Sequence, residues 1–214
     1  MKRLVLLSEW KDDISSEFEK RIVSLIGKER SKLGYIPSQT DPDGTYYYPM
    51  KNRLDRLGFS GYVYCDIDEE FEARVLEDLG NCDAIFLSGG NTFHFLARLR
   101  ERGMLDWLRG YVNRGGLVIG VSAGAMIMTD NINVAEYVDA KYLASSQLSS
   151  SQYGALGLVD FYFYPHWTGE PSQQRAIKEL KRSDNNTTIF ACPDGGAIVI
   201  DGVKREYFDH LIEY

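Results

Sequence analysis

The stretch Leu117-Val118-Ile119-Gly120-Val121-Ser122-Ala123-Gly124-Ala125-Met126-Ile127-Met128 decides how this chain is read. Leu117, Val118 and Ile119 read as a buried strand. Gly120-Val121-Ser122-Ala123-Gly124 reads as a tight turn, and the Ala/Met-rich segment after it as a helix. A residue at the apex of a sharp strand-to-helix turn is held in strained backbone geometry, and a glycine two positions to either side leaves room for that turn. The Ser122 hydroxyl then projects at the carboxyl end of a parallel strand. The next amide, Ala123 N–H, opens a helix, where it can stabilise a developing oxyanion. The same letters also suit a turn used only for helix–strand packing, so the rest of the chain has to decide.

Working outward, the chain reads as βα units in series. Arg3–Ser8 is a first strand, and a helix runs from Asp12/Asp13 to about Glu29, with Ile14, Phe18, Ile22 and Leu25/Ile26 at helical spacing. Lys32–Ile36 is a second strand, and residues 37–44 carry turn chemistry. A helix then runs through Leu57, followed by a strand over Tyr62–Ile67 and a helix over Phe71–Leu79. Ala84–Leu87 is a strand ending in Ser88-Gly89-Gly90-Asn91-Thr92, and helices over Asn91–Arg102 and Met104–Arg114 lead to the Ser122 strand. This order predicts an α/β fold with a mostly parallel sheet and helices on both faces. In such sheets the site lies at the carboxyl ends of the strands, which places the Gly89-Gly90 turn and Ser122 on one edge.

Beyond Met128 the polar segment Thr129–Ser151 suggests a mobile loop or short hairpin near the site. Gly157–Tyr164 reads as a strand running into Pro165-His166-Trp167, and a helix follows over Ser172–Lys181. Thr187–Ala191 is a strand ending in Cys192-Pro193-Asp194-Gly195-Gly196. A hairpin with an Asp201-Gly202 turn closes the chain. No repeat or linker interrupts residues 1–214, which are expected to form one domain.

Composition bounds the function. The 214 residues carry a net charge of −7 with no basic run, so nucleic acid has no electrostatic footprint. No apolar stretch approaches the ~20 residues of a membrane span. The first nine residues suit a strand better than a signal peptide. Cys65, Cys82 and Cys192 are odd in number and lack C-x-x-C spacing, which fits buried, reduced thiols. A cytoplasmic enzyme, monomeric or homodimeric, with no cofactor or metal, is the expectation.

A serine nucleophile needs a base and an acid that orients the base. Of three histidines, His94 falls inside a helix and reads as a helix-face residue, and His210 lies near the end of the sequence. His166 ends a strand on the same edge as Ser122. Asp194, also at a strand end, is the candidate acid, although an ordinary Pro-Asp-Gly-Gly turn explains it equally well; Asp130, Glu136 and Asp139 are rivals. Pairing His210 with Asp194 would restore the serine–acid–histidine chain order of α/β-hydrolases but leaves Pro165-His166-Trp167 unexplained. A Gly89-Gly90 amide could supply a second oxyanion donor beside Ala123.

Together Ser88-Gly89-Gly90-Asn91-Thr92-Phe93, Gly120–Ala125, Pro165-His166, Gln174-Arg175-Ala176-Ile177 and Pro193-Asp194-Gly195 resemble the peptidase E family of serine peptidases, the aspartyl dipeptidases and their cyanophycinase relatives. The resemblance covers most of the chain. It implies a class I glutamine amidotransferase-like (flavodoxin-like) three-layer sandwich, with Ser122 as nucleophile, His166 as base and Asp194 as acid. It implies Gly90 and Ala123 as the oxyanion hole. Small peptides are the implied substrates, among them dipeptides with N-terminal aspartate selected by Arg175, which otherwise reads as a solvated helix-face arginine. Two departures bear on specificity: the segment between His166 and Arg175 is shorter than in aspartyl dipeptidases, and the loop after Ser122 differs. A cyanophycinase-like or other acyl hydrolase, and a non-catalytic binding module, are the alternatives.

Overall fold

The computed structural model describes residues 1–12, 14–27 and 31–214. Its centre is a seven-stranded sheet. Strand β1 (Arg3–Leu7) pairs in parallel with β5 (Leu117–Val121), which pairs with β4 (Ala84–Leu87), then β2 (Ser31–Ile36) and β3 (Phe59–Tyr64), all parallel. On the other side of β1, β8 (Ala197–Asp201) and β9 (Lys204–Phe208) add an antiparallel hairpin.

Apart from Arg3 and Gly120, β1, β4 and β5 are short runs of Val, Ile, Leu, Ala and Phe, which suits strands covered on both faces. Successive side chains alternate between the faces. Leu4, Leu6, Ile85, Leu87 and Val118 point into one core; Val5, Leu7, Phe86, Ile119 and Val121 point into the other. The second core is covered by α1 (Ser16–Ile26) and α2 (Tyr47–Arg56). The first is covered by α3 (Ala73–Gly80), α4 (Thr92–Glu101), α5 (Met104–Asn113) and α6 (Ala123–Ile127). This is the expected three-layer, flavodoxin-like arrangement.

Helix α1 starts later than the sequence suggests. Ser15 caps it by accepting from Phe18 N–H at 3.2 Å, and Gly27 ends it in the left-handed region at φ 74°. Of the expected limits, Asp12 lies before the helix, and Asp13 and Glu29 lie outside the described residues. Phe18, Ile22, Leu25 and Ile26 face the core, the first two fully buried, each worth roughly 1.5–3 kcal/mol of burial.

Three expectations are corrected. Strand β3 occupies 59–64 rather than 62–67: its register pairs Gly61 with Lys32, and the chain leaves the sheet after Cys65 so that Asp68 can accept from Thr40 N–H. The strand expected from Gly157 begins only at Phe161. Leu156, Gly157 and Leu158 instead donate backbone bonds to Ile127, Thr129 and Met128, tucking those apolar residues beneath α6. Segment 129–151 holds two short helices, α7 (Ala135–Val138) and α8 (Ala140–Leu143), because Ile132, Val134 and Ala135 are buried beneath its polar surface.

A second sheet was not foreseen. β6 (Phe161–Tyr164) and β7 (Thr188–Ala191) pair in parallel, and β10 (Ile212–Glu213) adds antiparallel to β7. Helix α9 (Pro171–Ser183) connects β6 to β7 and packs Ala176, Ile177 and Leu180 into the core that this sheet shares with the main one. Cys65, Cys82 and Cys192 are free and buried, and burial pushes the Cys65 and Cys82 thiols up to about 11. Among the described residues no helix is long and apolar enough to cross a membrane.

Candidate active site

Ser122 follows β5 directly and adopts φ 48°, ψ −105°, a conformation that non-glycine residues rarely occupy. The surroundings hold it there. Ser122 N–H donates to Leu7 O at 2.9 Å, Gly124 N–H to Ser88 O at 3.1 Å, and Met126 N–H to Ser122 O at 2.9 Å. The flanking glycines are required by contact. A Cβ on Gly120 would lie 2.6 Å from the Gly124 backbone, and one on Gly124 only 2.2 Å from Leu87 O.

Ser122 Oγ lies 2.8 Å from His166 Nε2, and His166 Nδ1 lies 2.7 Å from Asp194 Oδ1. With Asp194 ionised, the network assigns the ring proton to Nδ1, donating to the carboxylate. The Nε2 lone pair is then free to accept from the serine hydroxyl. Burial pushes the Asp194 carboxyl upward, but the hydrogen bond and charge of His166, then the Ser8 hydroxyl and Lys11, outweigh it and hold the group below the usual carboxylate range. His166 and Asp194 come from the ends of β6 and β7, in the small sheet, so the arrangement bridges the two sheets.

Two positioning residues were missed by sequence reasoning. Ser8, fully buried at the end of β1, accepts from His166 N–H at 2.8 Å and donates to Asp194 Oδ1 at 3.1 Å. Gln173 donates to His166 O at 2.8 Å, while its carbonyl accepts from Thr168 N–H and Gly169 N–H at 2.9 and 3.1 Å. These contacts secure a histidine that sits at φ 56°. The signal for Ser8 was its place, the first polar residue after an apolar strand, at the sheet edge that carries Ser122. Gln173 had no comparable signal.

The rival groups lie outside the Ser122–His166–Asp194 chain. Asp139 is buried and accepts from the backbone and hydroxyl of Thr92 at the start of α4. Asp130 is exposed and lines a cleft at the opposite end of the strands. Glu136 lines a cavity beside His166, but Asp194 holds the ring. His94 bonds Asp68 at 2.7 Å, and His210 is exposed, so the pairing of His210 with Asp194 is not formed.

Gly90 follows β4 at φ 140°, and a Cβ there would lie 2.1 Å from Ser38 Oγ. Neither Gly90 N–H nor Ala123 N–H has an acceptor among the described residues outside regular secondary structure.

Two cavities flank the Ser122–His166 pair. One, of about 350 Å³, is lined by Glu9, Trp10, Tyr35, Arg53, Gly90 and Val121, with Tyr142 of α8 at its border. The other, of about 380 Å³, is lined by Glu136, Tyr137, Tyr164, His166 and Gln173. A larger cleft, about 640 Å³, lies at the far edge around Lys2, Gly202 and Arg205, away from these groups. Arg175 lines neither flanking cavity. It stands exposed on α9 beside the inward-facing Ala176 and Ile177, so the structure does not bring it to the site.

Among the described residues, Glu9, His166 and Asp194 are the group whose ligand atoms lie close enough to hold a metal, within 4.8 Å of one another. Both ring nitrogens of His166 are already bonded, so an ion there would displace Ser122 or Asp194.

Residues 4–207 match the family model of Peptidase family S51. An uncharacterized peptidase of Pasteurella multocida is 30% identical over 208 residues, covering 96% of both chains. Peptidase E of Nostoc sp. is 27% identical, covering 94% of this chain and 83% of that protein. A crystal structure from Listeria monocytogenes, provisionally described as a peptidase E protein, superposes with a TM-score of 0.77 at 27% identity over 97% of this chain and 98% of that one. The chain belongs to Peptidase family S51, the family of peptidase E, and is a serine peptidase.

Proposed function

We propose that the protein is an exopeptidase that hydrolyses small peptides through an acyl-enzyme on Ser122. The observation that carries this reading is the unbroken Ser122–His166–Asp194 chain, at 2.8 and 2.7 Å. His166 Nε2 takes the hydroxyl proton as Ser122 Oγ attacks the scissile carbonyl carbon, and Asp194 stabilises the imidazolium that forms. Gly90 and Ala123 N–H receive the oxyanion. Collapse of the tetrahedral adduct breaks the C–N bond, and the imidazolium gives its proton to the leaving amine. Water, deprotonated by the same ring, then cleaves the ester and restores Ser122. The strained Ser122 backbone favours this reading over a non-catalytic module, because strain is retained where a function needs it.

Selection of N-terminal aspartate is the finer part of the proposal, and it needs a guanidinium. Arg53 is better placed than Arg175, since it lines the cavity that also borders Gly90 and Val121. Its present partner is the exposed carboxylate of Asp12 at 2.8 Å, a solvated pairing that a substrate carboxylate can replace.

The test is hydrolysis of a panel of X-Leu dipeptides, including Asp-Leu, by the wild-type enzyme and Ser122→Ala. Turnover lost in the variant supports the acyl-enzyme route, and turnover surviving in Ser122→Ala ends it. Cleavage of Asp-Leu above all others supports the aspartate preference, and an even profile discards it.

A further inference from the structure

We propose that Ser38 and Ser88 set the oxyanion hole by pinning the Gly89–Gly90 peptide, making them positioning residues of the peptidase reaction. The inference rests on the reading in which Gly90 N–H receives the oxyanion.

Two hydroxyls converge on one carbonyl. Ser38 Oγ donates to Gly89 O at 2.8 Å, and Ser88 Oγ donates to the same oxygen at 3.0 Å. The two serines are themselves tied, because Ser38 N–H donates to Ser88 Oγ at 2.7 Å. Both side chains are buried. A carbonyl oxygen offers two lone pairs, so Gly89 O is saturated.

The consequence falls on the opposite side of the peptide. No peptide bond among the described residues is cis, so Gly90 N–H points away from Gly89 O and from both hydroxyls. Gly89 itself packs against the nucleophile turn: a Cβ built on it would be 3.5 Å from Val121 O and 3.6 Å from Ser122 Cβ. Fixing the carbonyl therefore aims the amide.

The fixing matters because of the residues involved. A peptide between two glycines meets little steric resistance to rotation. Turned over, it would present a carbonyl oxygen to the site where negative charge develops. Glycine is nevertheless obligatory at 90, since a Cβ would fall on Ser38 Oγ. The sequence accepts a rotatable peptide and restrains it with two hydroxyls.

The restraint is anchored further out. Asp68 Oδ2 accepts from Thr40 N–H at 2.9 Å, two residues beyond Ser38. Asp68 Oδ1 bonds His94 at 2.7 Å and Arg98 Nε at 3.0 Å, both on α4. The loop after β2 that carries Ser38 is thereby fastened to the helix that follows Gly90.

The experiment compares wild type, Ser38→Ala, Ser88→Ala and the double variant on a peptide that the wild type cleaves, with circular dichroism and melting temperature as folding controls. Rates of Ser122 phosphonylation by a fluorophosphonate are measured alongside, because that reaction also places an oxyanion-like oxygen in the hole. Each single variant is expected to lose about 10- to 100-fold in kcat, with KM within about threefold and labelling slowed in step. The double variant is expected to lose less than the product of the single losses, since both hydroxyls hold one peptide. Folded Ser38→Ala and Ser88→Ala with kcat and labelling near wild type overturn the inference, as does a loss confined to KM. If Ser38→Ala does not fold, Ser88→Ala decides by the same criteria. Failure of the underlying reading looks different: the wild type is then not labelled at Ser122, or Ser122→Ala retains turnover.

Discussion

The Ser8 hydroxyl donates to Asp194 Oδ1 over 3.1 Å, onto the same carboxylate oxygen that faces His166 Nδ1. Because Ser8 also accepts from His166 N–H, one side chain fixes both the backbone of the proposed base and the carboxylate that orients its ring. Ser8→Ala removes both bonds and leaves a backbone donor without its partner. The expected result is a loss of about 1–3 kcal/mol in unfolding free energy and roughly a tenfold fall in kcat, with KM nearly unchanged. Chemical denaturation and steady-state kinetics on the same preparation check both; an unaltered kcat would show that the ring keeps its place without Ser8.

Arginine substitutions separate the two candidate selectors of an acidic substrate. Arg175→Ala is expected to leave kcat/KM for Asp-Leu within about twofold, because the side chain stands outside both flanking cavities. Arg53→Ala is expected to lower kcat/KM for Asp-Leu by about 10-fold or more while sparing Ala-Leu, as befits loss of a charge-assisted bond. The reverse pattern would return the role to Arg175.

Acid stability follows from Asp68. Burial pushes its carboxyl up, but the Thr40 amide, the His94 hydrogen bond and charge, and the Arg98 charge outweigh that and hold it below the usual range. The folded protein therefore binds this proton more weakly than the unfolded chain. The resulting stability is fully present above the unfolded value of about 3.9 and is lost as pH falls through the lower folded value. The drop in melting temperature between about pH 5 and pH 3 should accordingly be smaller in Asp68→Asn than in wild type. Equal drops in the two proteins would assign the acid sensitivity to other carboxylates.

Much of the scaffold was legible because local chemistry and global position agreed. Ala84–Leu87 forms a strand with the bounds that the sequence suggests, since an aliphatic run ending in Ser-Gly-Gly leaves few alternatives. Ser122, His166 and Asp194 were each marked by a strand end, and the structure brings them within hydrogen-bond reach. What stayed hidden depended on distant pairing. Nothing local announces that Phe161–Tyr164 leaves the main sheet to pair with Thr188–Ala191, or that Leu158 packs beneath α6 rather than extending that strand. Ser8, Ser38 and Ser88 looked like ordinary polar residues closing strands or opening turns. Gly89 O beside Ser88 apart, their partners lie 50 to 186 positions away, a separation that periodicity cannot register.

That separation has a consequence for when the molecule becomes active. Ser8 belongs to the first strand and Asp194 to the turn before β8, which must slide in beside β1 to complete the main sheet. A chain interrupted between Ser122 and that turn carries the serine and β5 but neither the proposed acid nor β8, the second strand that borders β1. On the proposed triad, hydrolytic competence requires the N-terminal strand and the C-terminal hairpin to be paired. On that reading, a polypeptide truncated before β8 is expected to be inert toward peptides even where Ser122 is in place.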